Sequence, residues 1–467
     1  MRTVTAFVMA LLLTPGVARA WDPPVTILEE GDPVLEDVAF RGVDDAVAVW
    51  LRRAGETEVW GSRYRDGQWD SGVPLYGGPD SVFFARLADD GKGRTFAIYA
   101  VESYPLGYQV VTVFAREFDG EIWSPQTQLG HGSAYEEGLI LAAGPDGTAM
   151  AVFVEPRWFG DLELWAARYD PTLGWTEAES LGTTSGFADA AVDEAGRATV
   201  AWSRHDEGFE GLWAARFIPD RGWTPAEQVD SRSVQSVRVA MAEGRALAIW
   251  TRSDEFGARI IQNLRDPVTG WGSPEALSFN PEIDANWVMG ASQEVAANPA
   301  GDGVAVFRLA RQSESSMWTA EIEGLEVGTP RQMVATEVSG ISVDVNSEGD
   351  AALAWLAPSG LVARTRAASQ RWCPVHAFEA SGDGGSIALG RIRVDETGGV
   401  LLTWTEYDGN RFVLRSSHHD MDPNCVPSGP GGGESAVAAV GVVALSVGAA
   451  ITIVLLLRRH RRKSERA

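Results

Sequence analysis

An arginine recurs three residues after an apolar or aromatic landmark in a repeated pattern: Arg63, Arg116, Arg168, Arg216, Arg364 and Arg415, with Leu264 and Glu321 in the two remaining slots. A ring of guanidinium groups is chemistry that binds anions. The same groups also stack on rings or pair with turn carboxylates, and that structural use is the expectation here. Arg52, Arg53, Arg204 and Tyr407 are the residue types of a hydrolase that grips a substrate carboxylate and attacks through a tyrosine, but no spacing singles them out. Two carboxylates for ordinary glycoside hydrolysis are equally hard to select from so acidic a chain. His418-His419-Asp420 is the one dense run of metal-ligating types, and neighbours on a strand point to opposite faces. The Asp-Gly turns lack the alternating spacing of a calcium loop. There is no phosphate-binding glycine loop and no Ser-His-Asp grouping. No catalytic, cofactor-binding or metal residue is assigned, no cofactor is expected, and a non-enzyme is favoured over an enzyme.

Eighteen tryptophans suggest sugar stacking. Most fall at repeat-locked positions, where a residue needed in every unit serves packing. Trp158, its neighbour Phe159, and Trp287 fall outside the repeat, in insertions, and are the candidate ligand-binding residues.

The elements that would position these side chains follow from the repeat. A run of small and branched apolar residues closing on an aromatic occurs eight times, ending at Trp50, Tyr99, Phe153, Trp202, Trp250, Phe307, Trp355 and Trp404. The intervals are 49, 54, 49, 48, 57, 48 and 49 residues, a repeat architecture. The fourth unit reads as four short strands, A to D. These are Phe187 to Val192, Ala198 to Trp202, Leu212 to Phe217 and Trp223 to Val229, separated by Asp193-Glu194-Ala195-Gly196 and Pro219-Asp220-Arg221-Gly222. Such a meander cannot bury both faces alone, so neighbours stack, and radial stacking gives a β-propeller. The eighth unit has no fourth strand, whereas Trp21-Asp22-Pro23-Pro24-Val25-Thr26-Ile27-Leu28 resembles Trp223-Thr224-Pro225-Ala226-Glu227-Gln228-Val229. The fold class predicted is an all-β, eight-bladed β-propeller closed by its N-terminal strand, plus one C-terminal transmembrane helix. The aromatics that end each strand B become core positions. An open β-solenoid or two tandem propellers would leave the displaced strand unexplained.

The turns Asp170-Pro171-Thr172-Leu173-Gly174-Trp175 and Asp266-Pro267-Val268-Thr269-Gly270-Trp271 resemble a degenerate Asp box of sialidase-like propellers, without the preceding Ser and with Trp directly after Gly. In that family the box is structural, so the resemblance implies the fold and no catalytic role. The turns also faintly resemble the tryptophan-docking repeat of eight-bladed quinoprotein dehydrogenases. The whole repeat region is similar to uncharacterised secreted propeller proteins of high-GC bacteria, which implies no chemistry.

Residues 1–20 read as a secretory signal, with Arg2, an apolar run from Ala6 to Leu13 and Ala18-Arg19-Ala20 before the cut. The propeller is expected over 21–426 and a Gly/Pro-rich linker over 427–435. An uncharged span over 436–457 is long enough to cross a bilayer, and a basic cytoplasmic tail occupies 458–467. That tail is similar to bacterial C-terminal sorting signals of the Gly-Gly type, which implies that the helix is removable. The formal charge is −25 overall, and the region between signal and linker carries 31 basic against 62 acidic residues. Such a surface excludes nucleic acid and anionic headgroups as partners. Cys373 and Cys425 lie in the exported part, where a disulfide persists, and pairing would staple the last blades. Sequence supplies no distance between them.

These observations predict a monomeric, membrane-anchored binding or scaffold module for a protein or glycan at the bacterial cell envelope. The alternative is a sialidase-like envelope glycoside hydrolase.

Overall fold

The computed structural model describes residues 20–425, except 29, 54–56, 106–107, 133–137, 158–161, 207–208, 255–256, 280–289, 312–313, 369, 382–384 and 423–424. The signal, linker, transmembrane and tail assignments therefore fall outside the described residues, apart from Ala20. Among the described residues no helix is long and apolar enough to cross a membrane.

The chain forms eight antiparallel sheets, each an A-B-C-D meander. In blade 1 these strands are Val34–Gly42, Asp45–Arg53, Thr57–Arg65 and the pair Gln68–Trp69 and Val73–Tyr76. Blade 8 is built from Ser386–Val394, Gly399–Tyr407 and Phe412–Asp420, and its fourth strand is Val25–Leu28 from the other end of the chain. Val25 pairs with Ser416 and Thr26 with Arg415. The Asp22 N–H bonds the His418 carbonyl at 2.8 Å, as the Thr224 N–H bonds Arg216 at 2.7 Å in blade 4. Trp21 thus occupies the position of Trp223.

Strand B is buried because both its faces meet a neighbouring blade. All eight repeat aromatics are at most 3% exposed. The small residues between them, such as Ala46 and Ala48, let neighbouring sheets approach to ordinary packing distance. Each seam has its own apolar cluster: Trp202 faces blade 3, Trp250 blade 4 and Trp404 blade 7. The last seam, between blades 8 and 1, joins Val38, Ala46 and Tyr64 to Leu401. It is reinforced by the Leu35 N–H on Thr405 Oγ1 and by Trp69 Nε1 on Ser416 Oγ, 2.8 and 2.9 Å.

Two details depart from the sequence pattern. Strand D is broken in several blades: Gly222–Trp223 and Glu227–Asp230 both pair with Phe209–Ile218, with Pro225 between them. A proline without an N–H is tolerated there because D is the outer edge. The Gly before each such Trp has φ near +80° (Gly174, Gly222 and Gly270), a conformation that costs glycine little, which accounts for the Gly-Trp recurrence.

The second departure concerns register. The residue opposite the strand B aromatic is Trp60, Trp165, Trp213 and Trp318 in four blades, but Phe114, Val362 and Arg415 in blades 2, 7 and 8. The landmarks Val113, Leu361 and Phe412 are therefore out of step. A one-residue slip places Arg116 and Arg364 on the face opposite Arg63, Arg168 and Arg216. The arginine series is not a geometric ring.

Candidate functional site

Each strand A is the free inner edge of its sheet, and the eight A strands contact one another in a closed cycle around the axis. An exposed edge leaves backbone groups without sheet partners. Charged side chains supply them. Asp37 of blade 1 accepts the Leu87 N–H of blade 2 at 3.1 Å, and Asp189 of blade 4 accepts the Val239 N–H of blade 5 at 2.7 Å. Asp344 of blade 7 accepts the Val394 N–H of blade 8 at 2.8 Å. In the reverse sense, Arg86, Arg238 and Arg393 each donate at 2.9 Å to the carbonyl of the preceding residue on their own strand.

The same side chains pair across the seams. Arg238 and Glu294 form a two-pronged ion pair at 2.9 and 2.8 Å, Arg393 meets Asp37 at 2.8 Å, and Arg86 lies 3.6 Å from Glu36. Burial in the channel wall pushes the Asp89 carboxyl up from 3.8 to about 7, the neighbouring Asp344 charge adding to it. Burial likewise raises Asp189 to about 6, against the pull of Arg238. Asp344 is raised for the same reason, with Arg393 opposing. Asp89 therefore titrates where a general acid or base would.

The charges that act on it are Asp344, Asp90 and Arg393. Among the described residues no tyrosine lies on an innermost strand. Arg391 and Arg393 are directed at Asp37, at 4.0 and 2.8 Å. Arg52 lies on blade 1 over the Trp60 ring at 4.9 Å, and Arg204 on blade 4 over Trp213 at 5.1 Å, so the ring separates them. Tyr407 donates to the Gly409 carbonyl at 3.2 Å and packs on Phe412.

The recurring arginines hold blades together. Arg63 grips Asp45 and the Gly120 carbonyl of blade 2; Arg168 pairs with Asp170 and covers Phe217 of blade 4; Arg216 donates to the Gly244 carbonyl of blade 5. Arg364 hooks the outer segment of its own blade through Cys373 O at 2.7 Å, whereas Arg116 bonds Ser124 O of its own blade at 2.6 Å and Leu75 O of blade 1 at 2.9 Å. Arg415 pairs with Glu406 at 3.6 Å.

His418 and His419 face opposite sides of their strand. His418 lies against Tyr64 of blade 1, and His419 stacks on Trp21. No group of three or more His, Cys, Asp or Glu able to hold a metal ion occurs among the described residues. The A-B turns are hydrogen-bonded turns: Asp193 Oδ1 accepts the N–H groups of Ala195 and Arg197, each at 3.0 Å, and its other oxygen accepts the Gly244 N–H of blade 5 at 3.1 Å. The Asp-box-like Asp170 and Asp266 do likewise for Thr172 and Val268.

Trp158, Phe159 and Trp287 lie outside the described residues. Cys373 and Cys425 are joined by a disulfide, Cα atoms 5.7 Å apart, which ties the end of blade 8 to blade 7. The inner-edge charges have one signal in the sequence, a charged residue interrupting an apolar strand A, as at Arg238 or Asp344.

No protein-family model and no curated relative matches the sequence. Solved structures do align with it. A protein of unknown function from Dyadobacter fermentans is 11% identical, with a TM-score of 0.44, over 88% of this chain and 100% of that one. The NanB sialidase of Streptococcus pneumoniae is 11% identical, with a TM-score of 0.36, over 87% of this chain and 71% of that one. An ulvan lyase of polysaccharide lyase family PL25 is 10% identical, with a TM-score of 0.42, over 78% and 94%. The propeller assignment stands on the chain's own strand pairings.

Proposed function

We propose that the chain is an exported, monomeric binding or scaffold module at the bacterial cell envelope, tethered by the apolar segment 436–457, with a protein or glycan as its partner. One observation carries this reading. Asp37, Asp189, Arg238, Glu294 and Arg393 of the inner strands, where a propeller hydrolase would place its machinery, are engaged with backbone edges and with one another across the seams. Stripping Arg393 from Asp37 to hold a substrate would leave a buried carboxylate without its ion pair at the inner edge, an expensive exchange. Binding then falls to the connections between strands, where sequence varies without disturbing the ring.

The hydrolase reading draws on the Asp-box-like turns, and those turns are structural in the family they resemble. The test is a glycan-array screen of residues 21–430 alongside a pull-down from envelope extract. Saturable capture of a glycan or protein, without turnover of a fluorogenic sialoside, supports the module; turnover above a heat-inactivated control contradicts it.

A further inference from the structure

We propose that blade 2 carries a binding site for a neutral, hydroxyl-rich saccharide, formed where its B-C connection runs beside the D-A connection arriving from blade 1. Tyr104 and Tyr108 offer the ring faces, and Gln109, Tyr76 and Asp80 supply hydrogen-bonding groups. The inference deepens the binding-module reading and rests on it.

Tyr104 and Tyr108 are 60% and 75% exposed, the two most exposed aromatic residues among those described. Tyr104 is not a loose surface ring. Its hydroxyl is hydrogen-bonded to Glu102, a buried carboxylate that also accepts from Gln109 Nε2. Ser103 pairs with Val110 on the last rung between strands B and C, so Tyr104 and Gln109 leave the sheet opposite each other. The Tyr108 N–H closes the turn on the Pro105 carbonyl at 3.2 Å. A ring tied by its hydroxyl to a buried acid keeps its orientation while its face stays in water. That face contributes nothing to the core, and a ligand meets it already ordered, which lowers the entropy cost of binding.

The second connection is brought alongside by register. Ser81, the first residue of strand A, pairs with Glu102, so residues 77–80 run beside the start of the B-C connection. Tyr76, the last residue of strand D in blade 1, packs on the core ring of Tyr99 at 6.3 Å and donates to Asp80 Oδ2 at 3.0 Å. Gly78 has to be glycine, because a Cβ there would collide with the Tyr76 hydroxyl. The two connections therefore interleave aromatic faces with amide, carboxylate and phenol groups. A pyranose has the complementary surface: its C–H face lies on a ring, and its hydroxyls take hydrogen bonds around the perimeter.

Charge selects the class of sugar. Residues 77–80 and 103–109 contain no Lys or Arg, and by sequence the flanking connections, 54–56 and 132–138, add Glu56, Glu136 and Glu137 and no base. A sulfated, phosphorylated or sialylated glycan is gripped by guanidinium or ammonium groups, which these segments do not supply. A neutral saccharide needs none. Size selects saccharide over protein. A stable protein interface takes about 800 Å² from each partner around an apolar centre. Among the described residues the one other exposed large hydrophobic at a B-C connection is Phe412, in blade 8. Two neighbouring tyrosine faces match a short run of sugar rings.

The test presents the full chain, in detergent, to an array of neutral probes (cellohexaose, laminarihexaose and mannohexaose) and acidic ones (sialyllactose and a heparin hexasaccharide), with titration calorimetry on the best neutral probe. The expected result is binding to a neutral probe in preference to the acidic ones. Tyr104→Ala and Tyr108→Ala should each weaken it about tenfold. Tyr104→Phe should weaken it about threefold, because the ring stays but its tie to Glu102 is lost. All three variants should melt with the wild type, since the altered side chains are exposed. Unchanged affinity in the double variant Tyr104→Ala with Tyr108→Ala overturns the site and leaves the module reading standing. Binding to acidic probes alone overturns the neutral class. No binding to any neutral probe overturns the saccharide, and a protein partner recovered by the same preparation keeps the module. Cleavage of the bound probe overturns the module reading and this site's role in it together.

Discussion

Trp21 stacks on His419 with ring centroids 4.9 Å apart and planes inclined by 16°. The two residues come from opposite ends of the propeller, so this contact is part of the closure itself. Trp21 also meets Phe378 of blade 7 edge-on at 5.3 Å, which makes it a link between two blades. Replacement by Ala removes both contacts. Trp21→Ala is expected to cost about 3 kcal/mol, the lower end for a tryptophan because its ring is only partly buried. Deleting residues 21–28 should sharply lower the melting temperature, since blade 8 then loses its outer strand. An unchanged melt for the deletion would show that the ring closes some other way.

The same cluster sets a pH dependence. Burial holds His419 below the ordinary imidazole value of 6.5. The unfolded chain therefore takes up a proton at this site before the folded chain does. Its contribution is fully present above pH 6.5 and is lost as pH falls from there through the lowered folded value. His419→Phe should flatten the stability loss between pH 7 and 5 in urea titrations. A variant with the wild-type slope would remove His419 from the account.

Asp89 has the opposite sign. Its carboxyl is raised to about 7 in the folded ring, so the ionised form costs stability at high pH and protonation restores it as pH falls from about 7 toward 3.8. Asn keeps the oxygen that accepts the Gly91 N–H at 2.8 Å. Asp89→Asn should therefore melt higher than wild type at pH 8, by about 2–4 °C for each kcal/mol recovered. The difference should vanish near pH 4. A constant difference across that range would mean that Asp89 is not the titrating group.

The eightfold repeat, the strand order and the N-terminal closure were legible because each rests on periodic apolar residues and turn glycines, the features that packing dictates most strongly. The partners of Arg116 and Arg364 were not legible. Their place depends on a one-residue register that an apolar landmark does not fix when Val113 and Phe114, or Leu361 and Val362, compete for it. The channel network was hidden for another reason. Asp37 and Arg393 lie 356 residues apart, and only ring closure brings them within 2.8 Å.

That pair yields its own prediction. Asp37 is 6% exposed and serves Arg393 and the Leu87 N–H together. Asp37→Ala removes the ion pair of Arg393 and leaves the Leu87 amide without its acceptor at the inner edge, and should cost about 3–5 kcal/mol. In the double variant with Arg393→Met the loss should be smaller than the sum of the single losses. Additive losses would show that the two residues do not act together.

Reduction of the Cys373–Cys425 bond frees the last turn of blade 8 from blade 7. On the chain-entropy model a loop spanning 52 residues contributes about 4 kcal/mol. Cys373→Ser with Cys425→Ser should lower the urea midpoint accordingly while leaving the far-ultraviolet spectrum that of a β protein. No change in midpoint would assign closure to the N-terminal strand alone.

The central claim is that this ring binds and does not transform its partner. The most direct measurement recovers the ligand captured from envelope extract by residues 21–430, then compares its mass before capture and after release. The account predicts saturable capture and an unchanged mass, for wild type and Asp89→Asn alike. A ligand released in cleaved form by the wild type and intact by Asp89→Asn would contradict it.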